Sequence, residues 1–168
     1  MEHKQLLTVF NSLPVGIGFF TADGTLVRCN ESFCRIFGAD SQTLLGNKLN
    51  INENSVVPDV VKEAVRRCVP VQMSFLYDFD KQRTDKRFFS TRTRTCYLKC
   101  NGNPLYDNDG KFVNYIFIFE DITETVKSEE VLRQSRRKTE LAMKAANIMF
   151  WEFDAVAKLF YSDNEPLN

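Results

Sequence analysis

The chain has 168 residues, enough for one domain with a complete core plus flanking segments and too few for two full domains. Its 22 basic and 22 acidic residues balance, which leaves no overall field to draw nucleic acid, an anionic membrane or an acidic substrate. No apolar run approaches the ~20 residues of a membrane span, and the N-terminus lacks the apolar stretch of a signal peptide. Five cysteines without close pairing in the sequence (Cys29, Cys34, Cys68, Cys96, Cys100) suit reduced thiols, so a cytoplasmic chain is expected.

Leu6, Leu7, Phe10 and Leu13 form a short helical stripe that stops at Pro14, because a residue before proline is pushed out of the helical region. "VGIGFFTADGTLVRCN" predicts a hairpin turning at Asp23-Gly24. Asn30 is placed to cap "ESFCRIFG", which buries Phe33, Ile36 and Phe37 and stops at Gly38; Ser41 is expected to cap a further turn carrying Leu44 and Leu45. After the polar "NKLNINENS", Pro58 opens "PDVVKEAVRRC", with Val60, Val61, Ala64 and Val65 on one face.

Beyond Pro70 the period changes to two. Val71, Met73, Phe75, Tyr77 and Phe79 alternate with Gln72, Ser74, Leu76, Asp78 and Asp80, a strand with one buried face, and "KQRTDK" is read as the turn after it. "RFFSTRTRTCYLKC" predicts a long second strand, and Asp109-Gly110 a turn. "KFVNYIFIFE" closes the sheet with Val113, Tyr115, Phe117 and Phe119 on one face; Ile116 and Ile118 on the other call for a cover, from a helix or a second subunit. This order describes an α+β domain whose helices lie on one sheet face, with room for a ligand between the layers.

From Ile122 to Ala146 there is neither Gly nor Pro, so a long helix with a partial heptad is expected. Residues 148–168 repeat the first hairpin: with Asp154 set over Asp23, Phe150 falls on Phe19 and Trp151 on Phe20.

"GIGFFTADGTLVRCNESFCRIFG" and "PLYDNDGKFVNYIFIFEDITE", with its closing Asp-Ile-Thr, resemble a PAS sensor domain over about residues 8–124. The resemblance implies a five-stranded antiparallel sheet in the order 2-1-5-4-3, short helices on one face, a small-molecule pocket, frequent dimerisation and output through the C-terminal helix. The layout resembles that of bacterial sensor histidine kinases with tandem PAS domains. The expected organisation is a flanking helix (1–13), a sensor domain (14–121), a signalling helix (122–147) and the truncated start of a second such domain (148–168).

The candidate pocket residues are Phe33, Phe37, Val61, Met73, Phe75, Tyr77, Tyr97, Tyr115 and Phe117, and the candidate dimer contacts are Leu6, Phe10, Ile116 and Ile118. Asp121, Ile122, Thr123 and Glu124 form the expected output junction, with Asp121 and Glu124 spaced as an N-cap and a reciprocal acid. The only histidine, His3, lies outside the core, which disfavours haem. Cys34 lies outside the Asn-Cys-Arg-Phe-Leu context of the flavin-binding members, which disfavours a photoactive flavin and makes Cys34 a small core residue.

On a strand Cys96 and Cys100 are about 13 Å apart, too far for one zinc, so no metal site is expected. Arg92 and Arg94, alternating with threonines beside Phe88, Phe89 and Tyr97, are read as a solvated strand face rather than a nucleic-acid surface. No phosphate loop or catalytic motif is present, so no catalytic residue is assigned and the chain itself is not expected to be an enzyme. The reading is a cytoplasmic sensory module, homodimeric, with an unidentified ligand and further PAS and kinase domains downstream. The segment is expected to make no membrane contact of its own, which leaves room for a membrane anchor elsewhere in the full-length protein. The alternatives are a ligand-free dimerisation module, or the same domain in a cyclic-dinucleotide enzyme or transcription regulator.

Overall fold

Period-two alternation of apolar residues builds an antiparallel sheet from five strands: β1 (Gly16–Phe20), β2 (Leu26–Cys29), β3 (Val71–Asp78), β4 (Thr95–Tyr106) and β5 (Phe112–Asp121). Their order is β2-β1-β5-β4-β3, so the last strand of the sheet lies at its centre. The computed structural model describes residues 2–83, 90–146, 151–154, 156, 159–162 and 165–166, in two compact units, Met1–Glu124 and Thr125–Asn168. In the first unit the helices are α1 (Glu2–Ser12), α2 (Glu31–Phe37), α3 (Ser41–Gly46), α4 (Asp59–Arg67) and α5 (Phe79–Arg83); α6 (Thr123–Ala145) runs on into the second.

The inner sheet face carries Phe20, Leu26, Tyr77, Cys96, Leu98, Cys100, Tyr115, Phe117 and Phe119, buried in one cluster with Phe33, Phe37, Leu44, Val61 and Val65 of the helices. Turn chemistry sets the register. Gly24 and Gly110 take positive φ (86° and 75°) as their Asp-Gly turns require, and Gly38 (64°) ends α2. Asn30 caps α2 as expected, but α3 is capped by Asp40, not Ser41: the Asp40 carboxylate accepts from the Thr43 amide at 2.7 Å. The polar stretch after α3 is tied into the hairpin, with Asn50 and Asn52 both donating to the Asp23 carbonyl.

Three sequence expectations fail around β3 and β4. First, β3 stops at Asp78, and Phe79, expected on the strand, opens α5; Thr84 to Lys86 of the expected turn lie outside the described residues. Second, β4 begins at Thr95 rather than near Arg87, because Arg94 adopts φ 70° while its amide donates to Asp80 Oδ2 and its carbonyl accepts from the Phe79 amide. Third, Tyr97 faces outward, 39% exposed, and the inner positions of β4 are Cys96, Leu98, Cys100 and Gly102. Val113 also leaves the inner face: a register shift between Leu105 and Tyr106 leaves it 51% exposed.

The second unit holds most of α6, none of whose residues is buried, and an antiparallel hairpin of β6 (Trp151–Asp154) and β7 (Leu159–Ser162), with the two-residue β8 (Glu165–Pro166) beside β7. Phe150 lies outside the described residues. Among the described residues no helix is long and apolar enough to cross a membrane.

Gly102 marks the tightest point of the first unit. A Cβ there would stand 2.7 Å from Tyr115 Cε1 and nearer still to Phe117 Cε1, so the two stacked rings sit where a side chain would be. Gly102→Ala is expected to destabilise the domain by about 1–3 kcal/mol through overpacking, measured by urea denaturation; an unchanged midpoint would show that the rings yield freely.

Candidate functional site

The helices over the sheet enclose a cavity of about 20 Å³, room for one water-sized molecule. Its wall is aromatic and aliphatic: Phe33 and Phe37 come from α2, Val61 from α4, Phe75 and Tyr77 from β3, and Phe119 from β5. These residues meet because α2 and α4 turn their buried stripes toward the inner sheet face. Phe33 and Phe37 lie 4.5 Å apart by ring centroid, and Phe119 meets Phe37 edge-on at 5.2 Å.

One end of the cavity is polar. Asn54 Nδ2 donates to the Tyr77 hydroxyl at 3.2 Å, Tyr77 donates to Gln82 Oε1, and Asn54 Oδ1 accepts from the Val56 amide at 3.0 Å. Burial raises the Tyr77 phenol well above its ordinary value, opposed only in part by the Asn54 and Gln82 hydrogen bonds, so it stays neutral.

A second constellation joins the far end of α2 to the start of α6. The final carbonyls of a helix lack partners within it. Here residues 90–92 supply them: Ser90 Oγ donates to the Phe37 carbonyl (2.7 Å), Thr91 N to that of Gly38 (2.7 Å), and Arg92 Nη1 to that of Ile36 (2.9 Å). Arg92 Nη2 also donates to Asp121 Oδ2 at 2.9 Å, and its guanidinium lies 5.0 Å from the Phe79 ring centre. The other Asp121 oxygen accepts from the Thr123 amide (3.1 Å) and hydroxyl (2.5 Å). The Tyr97 backbone completes the junction, donating to Thr123 Oγ1 and accepting from the Ile122 amide, both at 2.9 Å.

Of the expected pocket residues, Phe33, Phe37, Val61, Phe75 and Tyr77 line the cavity. Met73, Tyr115 and Phe117 pack elsewhere in the core, where Tyr115 donates to the Val69 carbonyl (2.5 Å). Tyr97 contributes its backbone to the junction and nothing to the cavity. Leu49, Ile51 and Asn54, from the polar segment, and Val57 just beyond it line the cavity instead, and no periodicity announced them.

At the junction Asp121 ends β5 and its carboxylate accepts from the Thr123 amide, an Asx turn ahead of the helix, and Glu124 is the acid of the first turn of α6. Arg92, read from the sequence as part of a solvated strand face, lies instead ahead of β4 and bonds Ile36 and Asp121; the left-handed Arg94 that breaks the strand alternation has no glycine to signal it. Among the candidate dimer contacts, Phe10 is engaged within the chain, 6.0 Å from Phe19 and 5.0 Å beneath Arg28. Leu6 is 67% exposed, and Ile116 and Ile118 are half-buried on the outer face opposite Phe19 and Ile17.

Partial burial alone would raise the Asp121 carboxyl, but hydrogen bonds from Thr123 and Arg92 outweigh it and hold its pKa below the usual value. A depressed folded pKa stabilises the fold above the unfolded value of about 3.9 and ceases to do so as pH falls through the folded value. The stability difference between wild type and Asp121→Asn is therefore expected to be full near neutrality and to shrink below about pH 4 in urea titrations. Arg92→Ala should cost about 1 kcal/mol at neutral pH, the usual charged hydrogen-bond contribution reduced by solvent screening. A pH-independent difference for Asp121→Asn would refute the assignment.

A model of the PAS fold (PAS_4) matches residues 10–127. The probable diguanylate cyclase DgcE of Escherichia coli (strain K12) is 21% identical over 149 residues, 89% of this chain; the chain spans 13% of that protein's length. Among solved structures, an RNA-binding light-oxygen-voltage receptor superposes with a TM-score of 0.60 at 17% identity, over 83% of this chain and 38% of that one. A PAS domain from a two-component sensor histidine kinase superposes with a TM-score of 0.53 at 14% identity, over 71% of this chain and 96% of that one. The family match takes in the sheet, the cavity and the Asp121–Thr123 junction together, and by it the chain belongs to the PAS family.

Proposed function

We propose that this chain is the sensory segment of a longer signalling protein, in which a change at the cavity is relayed through α2 and Arg92 to Asp121 and on to α6. One observation carries the reading: a single guanidinium holds both the Ile36 carbonyl at the end of α2, a wall of the cavity, and the Asp121 carboxylate at the base of α6. A shift of α2 therefore changes a hydrogen bond at the output junction without passing through the sheet. The cavity wall favours a small uncharged ligand that exchanges one hydrogen bond with Asn54 or Tyr77. It offers no imidazole, thiol or thioether, which speaks against haem ligated from this wall.

The chain performs no chemistry in this reading. Its output lies in domains beyond it, of histidine-kinase or diguanylate-cyclase type, both represented among its distant relatives. The β6–β7 hairpin is the opening of a second copy of the domain, and the unit works in the cytoplasm as a homodimer through α1 and the Ile116 and Ile118 face. A second reading, a ligand-free dimerisation module, is favoured by the size of the cavity. It holds about 20 Å³ where ligand pockets usually begin near 300 Å³.

Native mass spectrometry of protein purified from its own host separates the two: a retained small molecule supports sensing, and its absence from a folded dimer supports the second reading. In the full-length protein, Arg92→Ala and Asp121→Asn are expected to leave basal output within about threefold while abolishing its response to stimulus, a coupling of 1–3 kcal/mol being typical of such links. A response that survives both substitutions would overturn the relay.

A further inference from the structure

Two cysteines that look unrelated in sequence meet in space. Cys29 ends β2 and Cys34 lies in α2, and their Sγ atoms are 3.8 Å apart. The meeting is held in place. The turn between them is fixed by Asn30, whose side chain bonds Phe10, Val15, Ile17 and Phe33, so the two sulfurs share one rigid corner. Both side chains are half-buried, unlike Cys96 and Cys100, which are sealed in the core, and the Cys68 thiol is directed at the Val65 carbonyl.

We propose that Cys29 and Cys34 are a modification site: a dithiol that closes to an intramolecular disulfide and locks α2 onto the end of β2. From 3.8 Å the sulfurs need to close to about 2.05 Å, a travel of under ~2 Å. The oxidant is a small-molecule disulfide such as oxidised glutathione. One cysteine thiolate attacks it, forming a mixed disulfide and releasing one glutathione thiol; the second cysteine, as thiolate, displaces the other. Two protein thiols lose two protons and two electrons, and one glutathione disulfide becomes two thiols.

Burial keeps Cys29 protonated, its pKa pushed up to about 12, and raises that of Cys34 as well, with the Asp40 and Glu31 carboxylates adding to the effect. The thiolate fraction at neutral pH is therefore small, and closure is slow. The disulfide would bind the cavity wall carrying Phe33 and Phe37 to the sheet edge. It stands apart from the proposed relay, since the bond is detected by mass and not by output.

The test equilibrates the folded chain with reduced and oxidised glutathione at graded ratios, alkylates residual thiols under denaturing conditions and digests with trypsin. Cleavage after Arg28 and Arg35 places both cysteines on one peptide, residues 29–35. The expected result is that peptide lighter by two hydrogens and unalkylated, with Cys68, Cys96 and Cys100 alkylated. Cys34→Ser should instead leave Cys29 as a mixed disulfide or a free thiol, whereas Cys68→Ser should leave the closed peptide unchanged. The proposal is overturned if wild type keeps five alkylatable thiols at the most oxidising ratio, if it stops at mixed disulfides, or if the bond forms between other cysteines.

Discussion

Everything in the sensor domain is arranged around the carboxamide of Asn30, which is 1% exposed. Its oxygen accepts from the Ile17 amide (2.8 Å) and the Phe33 amide (2.9 Å), and its nitrogen donates to the carbonyls of Phe10 (3.0 Å) and Val15 (2.9 Å). Both donor hydrogens and both acceptor lone pairs are used, so a buried polar group that would otherwise destabilise the fold fastens α1, β1 and α2 to one another. No other side chain supplies this combination at that size. Aspartate would bring a charge and lose both donors, and serine would reach half the partners.

With one end of α2 fixed in this way, the rest of the helix is positioned over the sheet and its rings fall into sequence. Phe37 meets Tyr77 at 5.5 Å, Tyr77 meets Phe79 at 4.9 Å, and Phe79 lies under Arg92. Aromatic contacts of this kind each contribute roughly 0.5–1.5 kcal/mol beyond area burial. The cavity wall is thus joined to Arg92 twice, by packed rings and by the Ile36 carbonyl. A movement of α2 has both a steric and a hydrogen-bonded connection to the same guanidinium.

What was legible in the sequence was whatever depended on local periodicity or a turn residue. The hairpin at Asp23-Gly24, the Asn30 cap, the Gly38 stop and the inner faces of β3 and most of β5 follow from a few adjacent residues, and the family pattern supplied the strand order. What was not legible depended on partners distant in sequence. Tyr97 belongs to an alternating run whose phase is set only where Arg94 turns left-handed, and that turn is held by Asp80, fourteen residues earlier. Asn54 reads as loop until Tyr77 is beside it, and Cys29 and Cys34 read as separate until the Asn30 corner brings them together.

α6 spans 23 residues with no buried side chain, and at its base Ile122 and Thr123 are hydrogen-bonded to the Tyr97 backbone. A straight α-helix of that length is about 34 Å long. A tilt of about 10° at the first turn therefore moves its far end by roughly 6 Å, a displacement larger than the pitch of the helix itself. Mechanically the helix is a pointer: an ångström-scale adjustment among Arg92, Asp121 and Thr123 is enlarged along its length.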